Sequence, residues 1–343
     1  MPDPNNNPSR DSARPMTCRG CKVLVFDPQP KYSDGAADAL ETIGFRRIDS
    51  TGCPKTLELA SAGGEYDLLV GDAGGIDGGI GNLVRRLRHN ALGRNPFLGV
   101  ILTTRSATPD RVRDVLSTGT DHLLVKPFTT GQIHSRIKAI ADDRKPFVVT
   151  VDYIGPDRRG GFSRASGVAR IAVPNSLRAK ARNDPTVAAT PESIAAAITI
   201  INHQKIARYD LQIGILVAMI VRSFEAGQPR VGRTARFKRV LYLITDLITR
   251  VRGTEFGGAS SICAELVRQI HDISQRAEPT PDQLSVLMRT SMALHRCFQP
   301  HRTEAQITDI VTDALTLIER RDPAEIASST NESMKRPSRH ARA

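Results

Sequence analysis

Tryptophan is missing from all 343 residues, and aromatic residues make up only 4% of the chain. Any core must therefore be aliphatic, built from Ile, Leu, Val and Ala. With 40% hydrophobic residues there is enough apolar material for two compact domains plus linkers. Disorder of the whole chain is excluded, although local disorder is expected. Cysteine is scarce: five, at 18, 21, 53, 263 and 297, an odd number without the spacing of a disulfide framework. A reducing, cytoplasmic setting is the expectation. Cys18 and Cys21 form one CxxC, but no second pair follows to complete the four ligands of a zinc site. Long hydrophobic runs are lacking too. The longest, Leu211 to Val221, contains Gln212 and Gly214 and is too short to span a bilayer. The first residues, MPDPNNNPSRDSARP, have no apolar core of the kind a signal peptide needs. A soluble protein without membrane insertion follows.

Acidic residues are outnumbered, 36 against 48 basic, for a net charge of +12. Such a balance suits nucleic acid, an anionic membrane surface or an acidic partner. Much of the excess sits in Arg158 to Arg182 and Lys335 to Arg342, which read as unstructured. Solvated basic linkers are therefore favoured over a specific nucleic-acid site.

What the sequence does contain, between 21 and 143, is a regular alternation. Short apolar runs, KVLVF (22–26), YDLLVGD (66–72), FLGVILTT (97–104) and DHLLVKPF (121–128), with RRID (46–49) as a further short strand candidate, are separated by segments of helical period. Five strand–helix repeats with strands apolar throughout imply a parallel sheet covered on both faces. Residues 1–20 read as a disordered arm and 144–189, rich in Gly, Pro, Arg and Ser, as a linker in which FVVTV can dock on a domain. From 190 to 321 the pattern is helical. Thr190 and Thr280 are good N-caps, each followed by a proline at the first helical position. Apolar stripes recur through Ile206–Ile220, Phe237–Val251, Ile262–Ile273, Leu284–Leu294 and Ile307–Leu315, as in a helical bundle. Residues 322–343 read as a disordered tail.

In an open parallel sheet, chemistry belongs at the carboxyl ends of the strands. Asp27, Asp72, Thr103 and Lys126 stand there, all on one edge. A carboxylate can attack a phosphoryl group. A second carboxylate can hold Mg2+, while a hydroxyl and an ammonium meet the phosphoryl oxygens.

The order KVLVFDPQP, YDLLVGD, VILTT, TGTDHLLVKPF resembles the receiver domain of bacterial response regulators, over about a third of the chain. The resemblance implies a flavodoxin-like (βα)5 fold in front of an all-α helical-bundle domain. It implies Mg2+-dependent phosphoryl transfer from a sensor histidine kinase or phosphotransfer protein to Asp72. By the same resemblance, Asp27, Asp72 and the backbone of Gly74 would hold the metal, Thr103 and Lys126 would contact the phosphoryl group, and Pro127 would follow a cis peptide bond. The chain departs from the family at three places. Pro28 stands where a second acid is usual, and Asp34 is not expected to replace it. The loop AGGIDGG lacks the usual Met-Pro. Leu123 stands where an aromatic switch is usual. A pseudo-receiver that signals by binding alone is the alternative.

YIGPDRR (153–159) resembles a short motif that follows receiver-like domains in some bacterial signalling proteins. Asp157, Arg158 and Arg159 either clamp the linker to a domain or sit solvated in a Gly-Pro turn. The helical half shows no enzyme signature, so the chain is read as a signalling protein, not an enzyme. Its output is read as protein interaction, a homodimer included. Arg222, Arg230, Arg233, Arg236, Lys238 and Arg239 keep nucleic acid open as an alternative, though no helix-turn-helix pattern accompanies them. His203, His271 and His295 lack the residues that usually follow a phosphotransfer histidine.

Overall fold

The computed structural model describes residues 15–63, 65–74, 79–158, 169–227, 230–276, 278–299, 301 and 303–319. The arm 1–14, the tail beyond 319 and the loop 75–78 lie outside the described residues. The chain divides into two compact units, residues 1–202 and 203–343.

The first unit is an open sheet of five parallel strands: β1 (Lys22–Phe26), β2 (Arg47–Thr51), β3 (Leu68–Asp72), β4 (Gly99–Thr104) and β5 (His122–Val125). Their order is β2-β1-β3-β4-β5. The helices between them are α1 (Pro30–Ile43), α2 (Pro54–Gly63), α3 (Gly79–Arg88), α4 (Pro109–Leu116) and α5 (Thr130–Asp142). This is the flavodoxin-like topology, and the alternation of side chains along each strand builds its two cores. Val23 and Val25 face one side with Leu68, Val70, Ile101 and Leu124, under Leu40 of α1 and Ile133, Ile137 and Ile140 of α5. Leu24 and Phe26 face the other with Leu69, Val100 and Leu102, under Leu57 of α2 and Leu83, Val84 and Leu87 of α3. The helix ends follow local chemistry. Gly44 caps α1 at φ 112°, and Thr129 with Gln132 forms a capping box on α5.

Cys18 and Cys21 are buried in the first of these cores as free thiols. Burial pushes the Cys18 thiol up to about 11 and the Cys21 thiol up to about 12.

Residues 144–189, read from composition as a linker, carry ordered elements in their described part. Strands β6 (Phe147–Val149) and β7 (Ile154–Pro156) form an antiparallel pair, and α6 (Ser176–Ala181) follows. Phe147 meets Phe97 edge-on, with ring centroids 5.9 Å apart. Asn175 Nδ2 donates to the Ile140 carbonyl at 2.7 Å, and Arg182 pairs with Asp142 at 2.7 Å. The segment reads as a linker because its arginines pair singly with carboxylates and backbone carbonyls rather than forming a periodic face.

The second unit is helical. Helix α7 (Pro191–Glu225) begins in the first unit. It is followed by α8 (Arg230–Val251), α9 (Ala259–Gln275), α10 (Pro281–Phe298) and α11 (Glu304–Glu319). The sequence stripes are its core: Ile206, Tyr209, Ile213, Leu216, Ile220, Phe237, Val240, Ile244, Leu247 and Val251 are all buried. No helix of the described residues is long and apolar enough to cross a membrane.

Candidate functional site

The sheet register brings the four strand-end groups together. Thr103 lies directly beside Asp72 across the β3–β4 pair. The backbone N–H of Asp27 donates to the Thr51 carbonyl at the end of β2. Lys126 follows β5, held by its N–H to the Thr104 carbonyl at 2.7 Å, and its peptide bond to Pro127 is cis.

The Lys126 ammonium donates to Asp72 Oδ1 at 2.5 Å and to Asp27 Oδ2. Its side chain and that of Asp27 are only 4% and 6% exposed, while that of Asp72 is 13% exposed. The other carboxylate oxygens take backbone donors: Asp27 Oδ1 from Gln29 at 2.9 Å, Asp72 Oδ2 from Gly74 at 2.9 Å. A Cβ at Gly74 would lie 2.5 Å from Asp72 Oδ2. Only glycine lets the chain turn this close to the carboxylate. Thr103 is buried, and its hydroxyl donates to the Gly71 carbonyl at 3.4 Å.

The donor set fits magnesium. One cation, the Lys126 ammonium, already touches both carboxylates, so they converge on a point. Carboxylate and carbonyl oxygens with water are what this ion takes. The set is small: Pro28 and Asp34 are exposed. Among the described residues no group of three or more His, Cys, Asp and Glu could hold a metal.

Three residues carried no recognisable sequence signal, Tyr32 and Arg105 at this edge and Asp121 at the opposite end of the strands. Tyr32, on the first turn of α1, lines a small cavity together with Asp27, Gly71, Thr103, Lys126 and Phe128. Arg105 follows β4 and lies over the Tyr32 ring. Asp121, just before β5, is buried in a cage of donors. Arg88 Nη2 reaches it at 2.9 Å, Arg144 Nε at 2.8 Å and the Val100 N–H at 2.9 Å. Burial works to raise the Asp121 carboxyl, but the Arg144 and Arg88 guanidiniums hold it below the usual range. Arg158, from the YIGPDRR segment, donates to the Asp121 carbonyl at 3.0 Å and to the Thr120 carbonyl. Asp157 pairs instead with Arg170 at 3.0 Å. Arg159 lies outside the described residues. Gly119 makes the close approach possible: at φ 93°, its missing Cβ would stand 2.5 Å from the Ile154 carbonyl of β7.

His122 is a neighbour with a pH consequence. Burial lowers its imidazole to about 4, with Arg136, Arg158 and Lys145 acting in the same direction and Asp121 opposing. A base depressed in the folded state binds its proton only on unfolding, so stability falls as pH drops from about 6.5 towards 4. We expect the urea midpoint of the first unit to fall between pH 7 and pH 5. The fall should be smaller in His122→Gln; an equal fall in both proteins would contradict the assignment.

In the helical unit, His295 is buried and its Nδ1 lies 2.5 Å from the carboxylate of Asp210, also buried. It is inaccessible to a partner. His203 lies 3.7 Å from Glu255 and packs edge-on against Phe256. His271 is exposed. Of the basic cluster, Arg233 lies 4.0 Å from the centroid of the Phe224 ring and Arg239 5.6 Å from that of Tyr242. The side chain of Arg230 lies outside the description.

The flavodoxin-like sheet, with two carboxylates, a hydroxyl and an ammonium gathered at its carboxyl edge, is similar to the receiver domains of response regulators over about 120 N-terminal residues. Comparison with known proteins places the likeness in the same N-terminal stretch. Over 124 residues, 36% of this chain, the sequence is 33% identical to the transcriptional regulatory protein TcrA of Mycobacterium tuberculosis, covering 46% of that protein. Over 119 residues, 35% of this chain, it is 29% identical to the transcriptional regulatory protein BasR of Escherichia coli, covering 51% of it. The chain thus spans about half the length of the curated relatives it matches. The chemotaxis protein CheY4 of Vibrio cholerae superposes with a TM-score of 0.31 at 16% identity, covering 34% of this chain and 96% of that one. A response regulator from Thermotoga maritima superposes with a TM-score of 0.29 at 20% identity, covering 34% of this chain and 94% of that one. No family model matches the chain.

Proposed function

We propose that the chain is a cytoplasmic two-component response regulator that takes part in phosphorelay signal transduction through phosphorylation of Asp72. The observation that carries this reading is the convergence of Asp27 and Asp72 on the Lys126 ammonium beside the buried Thr103 hydroxyl. Asp72 is the more exposed of the two carboxylates and is placed to act as nucleophile. As the bond from phosphorus to the donor breaks, a bond to a carboxylate oxygen of Asp72 forms. Lys126 keeps its proton and moves from carboxylate towards phosphoryl oxygen, and Thr103 donates to another oxygen. A magnesium ion on Asp27, Asp72 and the backbone of Gly74 would supply further charge neutralisation. The donor would be a sensor histidine kinase or a phosphotransfer protein, and the helical unit would bind a protein partner or a second copy of the chain.

With acetyl phosphate and Mg2+, intact mass should show one added phosphoryl group on the wild type and none on Asp72→Asn. Pro28 favours a second reading, a pseudo-receiver. That reading predicts no incorporation by a folded wild type at saturating Mg2+.

A further inference from the structure

Tyr32 stands against two cations. The Lys126 ammonium lies 4.8 Å from the centroid of its ring and the Arg105 guanidinium carbon 5.0 Å from it. Both are within the range of cation–π attraction. Tyr32 is half-buried and lines the same cavity as Asp27, Thr103 and Lys126. Arg105 is exposed, two residues beyond Thr103. Among the described residues no carboxylate pairs with it, and the Tyr32 ring is its partner. The ring that packs against the acceptor-site lysine thus also anchors a second, exposed guanidinium beside that site.

The charge balance gives that guanidinium a task. A phosphoryl donor is an anion and must approach Asp27 and Asp72. Among the described residues, Lys126 offsets only one of these two carboxylates, and Arg105 brings a second positive charge to the Tyr32 ring. A guanidinium also presents paired N–H donors that match phosphate geometry.

Resting on the reading of Asp72 as acceptor, we propose that Arg105, positioned by Tyr32, is a phosphate-binding residue of this site that engages the donor's phosphoryl oxygens beside Lys126. A corollary is a shallower dependence on divalent metal. Arg105 takes up no proton and forms no covalent bond in the step.

The test uses the full chain and acetyl phosphate, with labelling rates read by intact mass from EDTA to excess Mg2+. Arg105→Ala should raise the donor concentration for half-maximal rate about tenfold, the size of one charge-assisted hydrogen bond. The loss should be largest at low Mg2+. Arg105→Lys should recover part of it. Tyr32→Ala should reproduce part of the loss and Tyr32→Phe should restore it. A readout independent of turnover is the thermal midpoint in EDTA. Inorganic phosphate should raise it over chloride at matched ionic strength in the wild type, and less in Arg105→Ala. If the wild type is labelled at Asp72 but Arg105→Ala shows unchanged donor dependence and phosphate shift, the role of Arg105 is overturned and the acceptor reading stands. If the folded wild type takes no label, both fall.

Discussion

Asp121→Ala is expected to destabilise the first unit by about 3–5 kcal/mol, the usual cost of removing one partner from a buried ion pair. The carboxylate sits between two guanidiniums whose side chains are 1% and 7% exposed, those of Arg88 and Arg144. Without it, both cations stay in a low-dielectric interior with no counter-charge, held by backbone carbonyls and the Phe147 ring. Arg88 is already lowered to about 10 by burial. Neither arginine can withdraw easily. Arg88 also donates to the carbonyls of Gly119 at 2.9 Å and Pro96 at 2.6 Å, and Arg144 to that of Phe97 at 2.5 Å. Urea unfolding followed by circular dichroism measures the loss. A change below about 1 kcal/mol, the range of an exposed pair, would contradict the buried cage. Exchanging all three residues for apolar ones of similar volume should cost far less than Asp121→Ala alone, because no charge is then stranded.

Lys126→Met is expected to slow phosphoryl incorporation by about 10²-fold or more, the effect of removing one preorganised charge-stabilising donor. The ammonium is the only side-chain donor given to both carboxylates among the described residues. Its loss also leaves Asp27 and Asp72 without the cation they share. The labelling rate at fixed acetyl phosphate and saturating Mg2+ decides the matter. A rate within about threefold of wild type would mean that Lys126 is a structural strap and no part of the transfer.

Much of the first unit was legible in the sequence because a buried parallel strand leaves a continuous apolar run, and the residue that ends the run marks the carboxyl edge of the sheet. Asp27, Asp72, Thr103 and Lys126 were found in this way. The stripes of the helical unit were equally plain. What stayed hidden depends on separation along the chain. Asp121 finds its partners 33 residues before it and 23 after it, and no local period encodes that. An aspartate between a Gly-Thr turn and an apolar strand reads as a solvated strand start. Tyr32 reads as an ordinary helix position, and its place beside Lys126 comes from the fold, which brings the residue after β5 to the start of α1. The YIGPDRR segment had left both a clamp and a solvated turn open. Arg158 supplies a clamp through backbone carbonyls, whereas its neighbour Asp157 turns inward to Arg170.

The most direct test of the acceptor assignment is chemical mapping of the phosphorylated residue. The chain is treated with acetyl phosphate and Mg2+, reduced with borohydride, which converts an aspartyl phosphate to homoserine, and digested for peptide mass analysis. The account predicts homoserine at position 72 and at no other aspartate, with the signal lost in Asp72→Asn. Homoserine at another position, or none from a folded protein at saturating donor, would contradict it.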